Sequence, residues 1–239
     1  MPFAARSLRV VSLVVLASAS GFGLAVSGCK RTSPSTSSGT TAAVSSEAAA
    51  KNEAFWAWFR AHSAEIATIT TAKELIADEL HIELSKVRSE LTFELGPKET
   101  PRELIVSADG IVGAFPAVQS LVAAAPPLPG WKVIAFRPRK PGFSIEMGDV
   151  KLTPSDVKFT SSTETTGKTA VTIFVPGRTR ENAKQIDGAV LILLDAVVGE
   201  FDTETRIGEI SIKPIDDAGK RELRPLADLA GVVDAKKAK

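Results

Sequence analysis

Two helical patterns follow each other where the chain becomes rich in apolar residues. In the first, side chains recur at spacings of four and three residues, as on one face of a helix: Phe55, Phe59, His62, Ile66 and Ile69. The second pattern places these apolar residues on one face: Ile76, Leu80, Leu84 and Val87. We therefore predict two helices joined near Thr70 and Thr71.

Beyond residue 90 the pattern changes to short apolar runs that are separated by glycine, proline and polar residues, which is typical of strands and turns. The predicted elements are strand 91–95, strand 102–107, helix 115–125, strand 131–137, strand 143–147, strand 156–160, strand 169–175, helix 181–198, strand 205–213 and a short helix at 225–234.

Residues 91–137 and 157–213 both have the order strand–strand–helix–strand. An internal duplication explains this order, and so does chance recurrence in an α+β protein. The predicted fold is therefore α+β: an N-terminal helical pair, then two such units that form mixed or antiparallel sheet with helices on one face. We expect one globular domain over residues 51–234, with a short basic tail at 235–239.

The N-terminus has the pattern of a secretory signal peptide over residues 1–28. Arg6 and Arg9 precede residues 10–26, which carry no charge. The segment Val26-Ser27-Gly28-Cys29 resembles the lipobox of bacterial lipoproteins. That resemblance implies cleavage before Cys29 and attachment of lipid, such as palmitate, to Cys29. The alternatives are a retained membrane anchor with a free thiol and an ordinary secretory signal.

Further features of the sequence extend this interpretation. Lys30 follows the cysteine, and by resemblance to lipoprotein sorting in enteric bacteria this favours the outer membrane over the inner membrane. Residues 29–50 are rich in Ser, Thr and Ala, so we expect a lipidated cysteine followed by a disordered tether.

Composition excludes several classes of function. The 239 residues include 29 Lys and Arg against 28 Asp and Glu, so the chain lacks the basic excess of a nucleic-acid-binding protein. The single cysteine precludes a disulfide within the chain. Two histidines and one cysteine are too few for a usual structural zinc site. We predict no metal, no cofactor and no nucleic-acid partner.

Candidate chemistry is sparse. Asp195, at the end of an apolar helix, and the following Glu200 and Asp202 are weak candidates for a catalytic carboxylate cluster, in which burial raises one pKa. The simpler interpretation, that these are solvent-facing or loop charges, is favoured. Neither His62 nor His81 lies in a catalytic or metal-binding motif.

Aromatic residues offer a second kind of site. Trp56 and Trp58 are candidates for a recognition surface, although tryptophans more often fill a core. Residues two apart cannot share one helix face, so we expect at least one of the pair to be partly exposed.

Four segments together resemble a group of uncharacterised bacterial proteins: Phe55-Trp56-Ala57-Trp58-Phe59, Ser107-Ala108-Asp109-Gly110, Ala125-Pro126 with Gly130-Trp131, and Gly199-Glu200. The resemblance covers about residues 52–213 and implies a shared fold. It implies no activity and transfers no catalytic residue.

The sequence thus favours a lipoprotein of the bacterial cell envelope that is anchored through Cys29 and acts as a non-catalytic binding or interaction module. Its partner would be an envelope protein or a cell-wall component. Two alternatives remain: a hydrolase-like enzyme that uses the carboxylates or a histidine, and a structural subunit of an envelope assembly.

Overall fold

The computed structural model describes residues 38–71, 74–147 and 150–236. Nine strands and six α-helices lie within these ranges. The helices are α1 (Ser38–Ile66), α2 (Leu75–Val87), α3 (Phe115–Ala123), α4 (Ala183–Val198), α5 (Glu200–Arg206) and α6 (Leu229–Ala235). The strands are β1 (Thr92–Leu95), β2 (Arg102–Ser107), β3 (Trp131–Ala135), β4 (Ile145–Met147), β5 (Val150–Leu152), β6 (Lys158–Thr163), β7 (Thr169–Val175), β8 (Ile207–Pro214) and β9 (Arg224–Pro225).

The strands form three sheets. The first has the order β1-β2-β3, and the second has the order β8-β7-β6-β9. The small third sheet is the antiparallel pair β4-β5. Among the described residues, no helix is both long enough and apolar enough to cross a membrane.

The predicted α+β class and its two strand–strand–helix–strand units are confirmed. In the first unit, β1 is antiparallel to β2, and β2 is parallel to β3 after the crossover through α3. In the second unit, β6 is antiparallel to β7, and β7 is parallel to β8 after a crossover through α4 and α5. The units thus share their connectivity but occupy separate mixed sheets. Their origin by duplication remains a hypothesis.

The first core lies between β1-β2-β3 and helices α1 to α3. Phe55 and Phe59 on α1 and Leu84 on α2 pack in the same cluster as Leu104 and Val106 on β2. The two β2 residues are two positions apart and so point to one face of the sheet. The predicted helical periodicities therefore correspond to buried faces.

The second core is built in the same way. Ile186, Val190 and Leu193 lie on one face of α4 and pack in a cluster with Val171 and Ile173 of β7. Leu229 and Val233 of α6 extend that cluster. Each large sheet therefore carries its helices against one face, as predicted.

Helix α1 corrects the expectation of a disordered tether over residues 29–50. It begins at Ser38, so residues 38–50 are helical, while Cys29 and residues 30–37 lie outside the described residues. Alanine has the highest helix propensity, and it occupies several positions between 42 and 50. Lys51 and Glu47 also form an ion pair of 2.9 Å one helical turn apart. The composition that suggested disorder also permits a helix continuous with the folded part.

Arg102, at the start of β2, holds the end of α1. Its buried guanidinium donates hydrogen bonds to three carbonyls at that end, on Ile66 (3.1 Å), Ala67 (2.7 Å) and Ile69 (2.9 Å). Its Nε donates to the carbonyl of Gly96 at 3.2 Å. The last carbonyls of a helix lack partners within the helix and carry partial negative charge. A cation at this end supplies the missing hydrogen-bond donors and also interacts favourably with that negative charge.

We predict that Arg102→Met lowers the free energy of unfolding by about 3 kcal/mol, because several buried carbonyls lose a charged donor. Arg102→Lys should lose less, since an ammonium can still donate. Urea denaturation measures both, with Arg60→Met on the exposed face of α1 as the matched control. Equal stabilities of Arg102→Met and the control would contradict the capping role.

Candidate functional site

The candidate carboxylates lie where α4 ends and α5 begins. Gly199 separates the two helices with a φ of +86°, a conformation that glycine adopts without steric penalty. The predicted stop of the long helix at this glycine agrees with the observed end of α4. The loop expected after it is wrong, because Glu200 opens a second helix rather than a loop.

Glu200 is fully buried, at 0% exposure, and its carboxylate is bound by backbone amides of the first unit. Oε1 accepts hydrogen bonds from the N–H groups of Ala108 (3.1 Å) and Gly110 (3.2 Å). Oε2 accepts one from the N–H of Arg137 at 3.0 Å. The Glu200 N–H in turn donates to the carbonyl of Arg137 at 3.0 Å. Hydrogen bonds of Glu200 therefore connect α5 to the segments that follow β2 and β3.

The turn after β2 has the right shape to present its amides. Asp109 and Gly110 both have positive φ, +50° and +75°. Aspartate and glycine tolerate this left-handed region better than most residues. The Ser107 hydroxyl accepts a hydrogen bond from the Asp109 N–H at 3.0 Å, which holds the turn. Amides of such turns form concave anion sites, and here the anion is the protein's own carboxylate.

Arg137 links the carboxylates around this turn. Its Nε contacts Glu94 Oε1 of β1 at 2.6 Å, and its Nη2 donates to Asp109 Oδ1. Lys140 Nζ reaches the other Glu94 oxygen at 2.8 Å. Burial alone would raise the pKa of Glu94, but the hydrogen bonds and charges of Lys140 and Arg137 outweigh it and lower that pKa. Glu94 is therefore held in its ionised form.

Asp195, near the end of α4, is in the opposite situation. Burial and the nearby charge of Glu200 raise its pKa to about 6, and the charge of Arg137 only partly opposes them. Burial and Glu200 also raise the pKa of Glu204, against the charge of Lys168. The structure thus brings Asp195 and Glu200 close enough to interact electrostatically, and Glu204 with them.

Asp202 does not join this cluster. Residues two apart on a helix point in different directions, and the Asp202 carboxylate pairs with Arg139 Nη2 at 3.1 Å and Arg206 Nε at 2.8 Å. Arg139 also binds Asp234 of α6 at 2.7 Å and the carbonyl of Val198 at 2.9 Å. Asp202 therefore helps to hold α5 and α6 at the end of α4.

The two candidate tryptophans differ in their exposure to solvent. Trp56 is buried, and its indole N–H donates to the carbonyl of Leu121 at 2.8 Å, so the structure corrects the expectation that it lies on a recognition surface. Trp58 is only partly buried and stacks on His62, with ring centroids 4.6 Å apart. His81 is exposed on α2. Cys29 lies outside the described residues.

Two surface clefts lie away from the carboxylates. One, of about 350 Å³, runs between α1 and α3 and includes Asn52 and Ser120 in its lining. The other, of about 340 Å³, lies beside Arg102 and Trp131. Neither lining includes Asp195, Glu200 or Asp202. Within the part of the chain that the structure describes, no group of three or more His, Cys, Asp or Glu side chains is arranged to hold a metal ion.

Sequence reasoning overlooked Glu94, Arg137 and Glu204. Glu204 is one helical turn after Glu200, so a helical interpretation of residues 200–206 would have paired them. Glu94 and Arg137 have no comparable signal, because their contact depends on where β1 ends relative to the segment after β3.

Comparisons with family models, curated proteins and solved structures find no match for this chain. The similarity to a group of uncharacterised bacterial proteins therefore remains a hypothesis that depends on the four sequence segments alone.

We predict that Glu200→Gln lowers the free energy of unfolding by about 2–3 kcal/mol. The NH₂ group of the glutamine cannot accept a hydrogen bond, so at least one backbone N–H that now binds a charged oxygen would lose its acceptor. Chemical denaturation at pH 7.5 measures the change. The exposed Glu222→Gln is the control and should stay within about 0.5 kcal/mol of the wild type. A variant as stable as this control would argue against a structural role for Glu200.

We predict that Asp195→Asn stabilises the protein at pH 7.5 by about 1–2 kcal/mol. The folded-state pKa of Asp195, about 6, lies above its ordinary value of 3.8. The folded state therefore binds the proton more tightly, and the stability this provides is complete below about pH 4 and lost as the pH rises through 6. Asparagine cannot ionise and avoids the loss.

Denaturation curves between pH 3.5 and 8 test this prediction. The stabilisation by Asp195→Asn should shrink from pH 7 to pH 4 and vanish below that. The exposed Asp216→Asn should show no such trend. A constant difference at every pH would mean that Asp195 is not buried beside another carboxylate.

Proposed function

We propose that the protein is a lipid-anchored component of the bacterial cell envelope whose folded part is a non-catalytic interaction module. The observation that carries this proposal is the state of Glu200, the central member of the candidate catalytic set. Both of its carboxylate oxygens accept hydrogen bonds from backbone amides, and the residue has no exposed surface.

General acid–base and nucleophilic catalysis need a side chain within reach of the substrate. Glu200 lacks that access, and Asp202 is occupied by two arginines. Within the predicted set, neither Glu200 nor Asp202 can therefore serve Asp195 as the second carboxylate that the two-carboxylate hydrolytic mechanisms need. A structural role for the acidic cluster explains all three residues.

Asp195 itself favours the alternative, a hydrolase-like enzyme. A pKa of about 6 suits a general acid or base near neutral pH. Raised pKa values also accompany buried structural carboxylates, however, and burial together with the neighbouring Glu200 accounts for this one. The alternative therefore needs a substrate-sized opening at Asp195, and neither of the two clefts described above reaches that residue.

The anchor is proposed from the uncharged segment at residues 10–26 and the following Val26-Ser27-Gly28-Cys29. Lipid on Cys29 would hold the chain at the membrane, since each buried CH₂ contributes about 0.8 kcal/mol. Lys30 favours the outer membrane. Residues 30–37 can span at most about 30 Å, and the exposed part of α1 follows them. The spacer to the domain would therefore be partly helical rather than wholly a flexible coil.

We predict that the wild-type protein, produced in bacteria that are fed an alkyne analogue of palmitate, incorporates the label and sediments with membranes. Cys29→Ser should incorporate none, because the lipobox cysteine is the attachment point. Detergent release of the wild type is the control for aggregation. Equal labelling of both proteins would contradict lipidation at Cys29.

The same pair of proteins tests the interaction module. Crosslinking in intact cells, followed by purification, should recover one reproducible envelope partner with the wild type. The Cys29→Ser protein, purified in detergent and added to isolated envelopes, should recover it too. Failure of both proteins to recover a partner would refute the interaction module. It would favour the hydrolase-like enzyme, which substitution of Asp195 then tests.

A further inference from the structure

Three apolar side chains are exposed at the junction of the two units. Ile111 and Val112, just after the turn that binds Glu200, are 46% and 51% exposed. Phe201, on α5, is 37% exposed. We call these three residues the junction patch.

Contacts at both ends place the segment that carries Ile111 and Val112 beside the helix that carries Phe201. At one end, Gly110 lies against Glu204, since a Cβ added to that glycine would come within 3.0 Å of Glu204 Oε1. At the other end, the Phe115 ring stacks on Phe201 with centroids 5.8 Å apart. Phe201 and Glu204 are three positions apart and so are neighbours on the helix. The segment 110–115 therefore runs beside α5, with Ile111 and Val112 between these two contacts.

Buried neighbours hold Phe201 and the turn beside the patch in place. Phe201 contacts both Phe115 and Phe136, the latter with centroids 5.1 Å apart, and these two rings are buried in the first core. Glu200 fixes the adjoining turn through Ala108 and Gly110. A surface that is already ordered loses little conformational entropy when a partner binds. An apolar surface that is fixed yet exposed is suited to recognition rather than to core packing.

The rim of the patch is acidic. The Glu204 carboxylate has no hydrogen bond or ion pair with any residue in the described ranges, although its backbone carbonyl accepts one from Lys168 Nζ at 3.1 Å. Burial and Glu200 raise the pKa of Glu204, and the charge of Lys168 opposes them only in part. Asp109, on the other side of Gly110, is largely exposed and shares Arg137 with Glu94. A cation placed beside Glu204 would relieve this imbalance.

We propose that the junction patch binds a short segment of a partner protein in which apolar side chains stand next to a lysine or arginine. The apolar side chains would cover Ile111, Val112 and Phe201, and the cation would form a charge-assisted hydrogen bond with Glu204. This inference rests on the proposed function and names the site and the chemistry of its partner.

Size and charge favour this occupant over others. A stable interface between folded proteins buries about 800 Å² on each side, which is more than three partly exposed side chains supply, so a short segment fits better than a large surface. An anionic membrane would bring negative charge against Glu204 and Asp109. A second copy would bring the same acidic rim against itself if it used the same patch.

The test uses the full-length protein in detergent and a phage library of random twelve-residue peptides as the probe. We expect the enriched peptides to combine apolar residues with lysine or arginine. A synthetic version, measured by fluorescence anisotropy, should bind Val112→Ser and Glu204→Gln at least tenfold more weakly than the wild type. Its binding to the wild type should also weaken with added salt.

Two controls match these variants. Leu75→Ser removes a side chain that is 81% exposed on α2, and Glu222→Gln removes an exposed carboxylate elsewhere. Both should bind the peptide like the wild type. Thermal unfolding of all four variants checks that each is folded, and Val112→Ser is expected to remain so because Val112 is half exposed.

Other outcomes overturn the proposal. Peptides that bind wild type and Val112→Ser equally would refute the patch, while a partner crosslinked to the wild type in intact cells would still uphold the interaction module. No enrichment, or peptides without a cation, would also refute the patch. If Cys29→Ser binds phosphatidylglycerol vesicles and the additional substitution Val112→Ser abolishes this binding, the patch would be assigned to a membrane. A dimer that Val112→Ser dissociates would assign it to a second copy.

Discussion

The buried carboxylate of Glu200 is the interaction on which the arrangement of the molecule depends. Removing a carboxylate from water costs several kcal/mol unless it is fully hydrogen-bonded. Three backbone amides, contributed by Ala108, Gly110 and Arg137, meet that requirement. Hydrogen bonds to an ionised acceptor are about twice as strong as neutral ones. The second unit thus supplies the charge and the first unit supplies the donors, so neither group is satisfied when the two are apart.

Consequences of this contact extend to its neighbours. Burial raises the pKa values of Asp195 and Glu204, and the negative charge of Glu200 raises both further. Glu200 also sets the position of α5 against the turn after β2. Phe201, the next residue, therefore contacts Phe115 and Phe136 while part of its ring remains exposed. Acidity and exposed apolar surface at the junction follow from the same buried carboxylate.

Elements with a periodic apolar face could be predicted from the sequence, because burial of that face is what stabilises them. Leu104 and Val106 mark β2, and Ile186, Val190 and Leu193 mark α4. Helix α5 has no such face, since its buried side chains are Glu200 and Thr203, and their partners lie far away in the sequence. For the same reason Glu200 and Asp202 looked alike as loop charges. Only tertiary contacts distinguish the amide-bound carboxylate from the arginine-bound one.

The two units differ mainly in their crossovers. The first unit connects its parallel strands through α3 alone, whereas the second uses α4 followed by α5. The additional helix carries Glu200, so the feature that breaks the similarity is also the one that joins the units. A turn with the shape to bind a carboxylate is present after β2, where Asp109 and Gly110 both have positive φ. Gly199 then completes the contact, because its own positive φ redirects the chain and lets α5 start with Glu200 against that turn. One glycine and one carboxylate thus position α5 against the first unit, where the contacts of Phe201 with Phe115 and Phe136 also join the two halves.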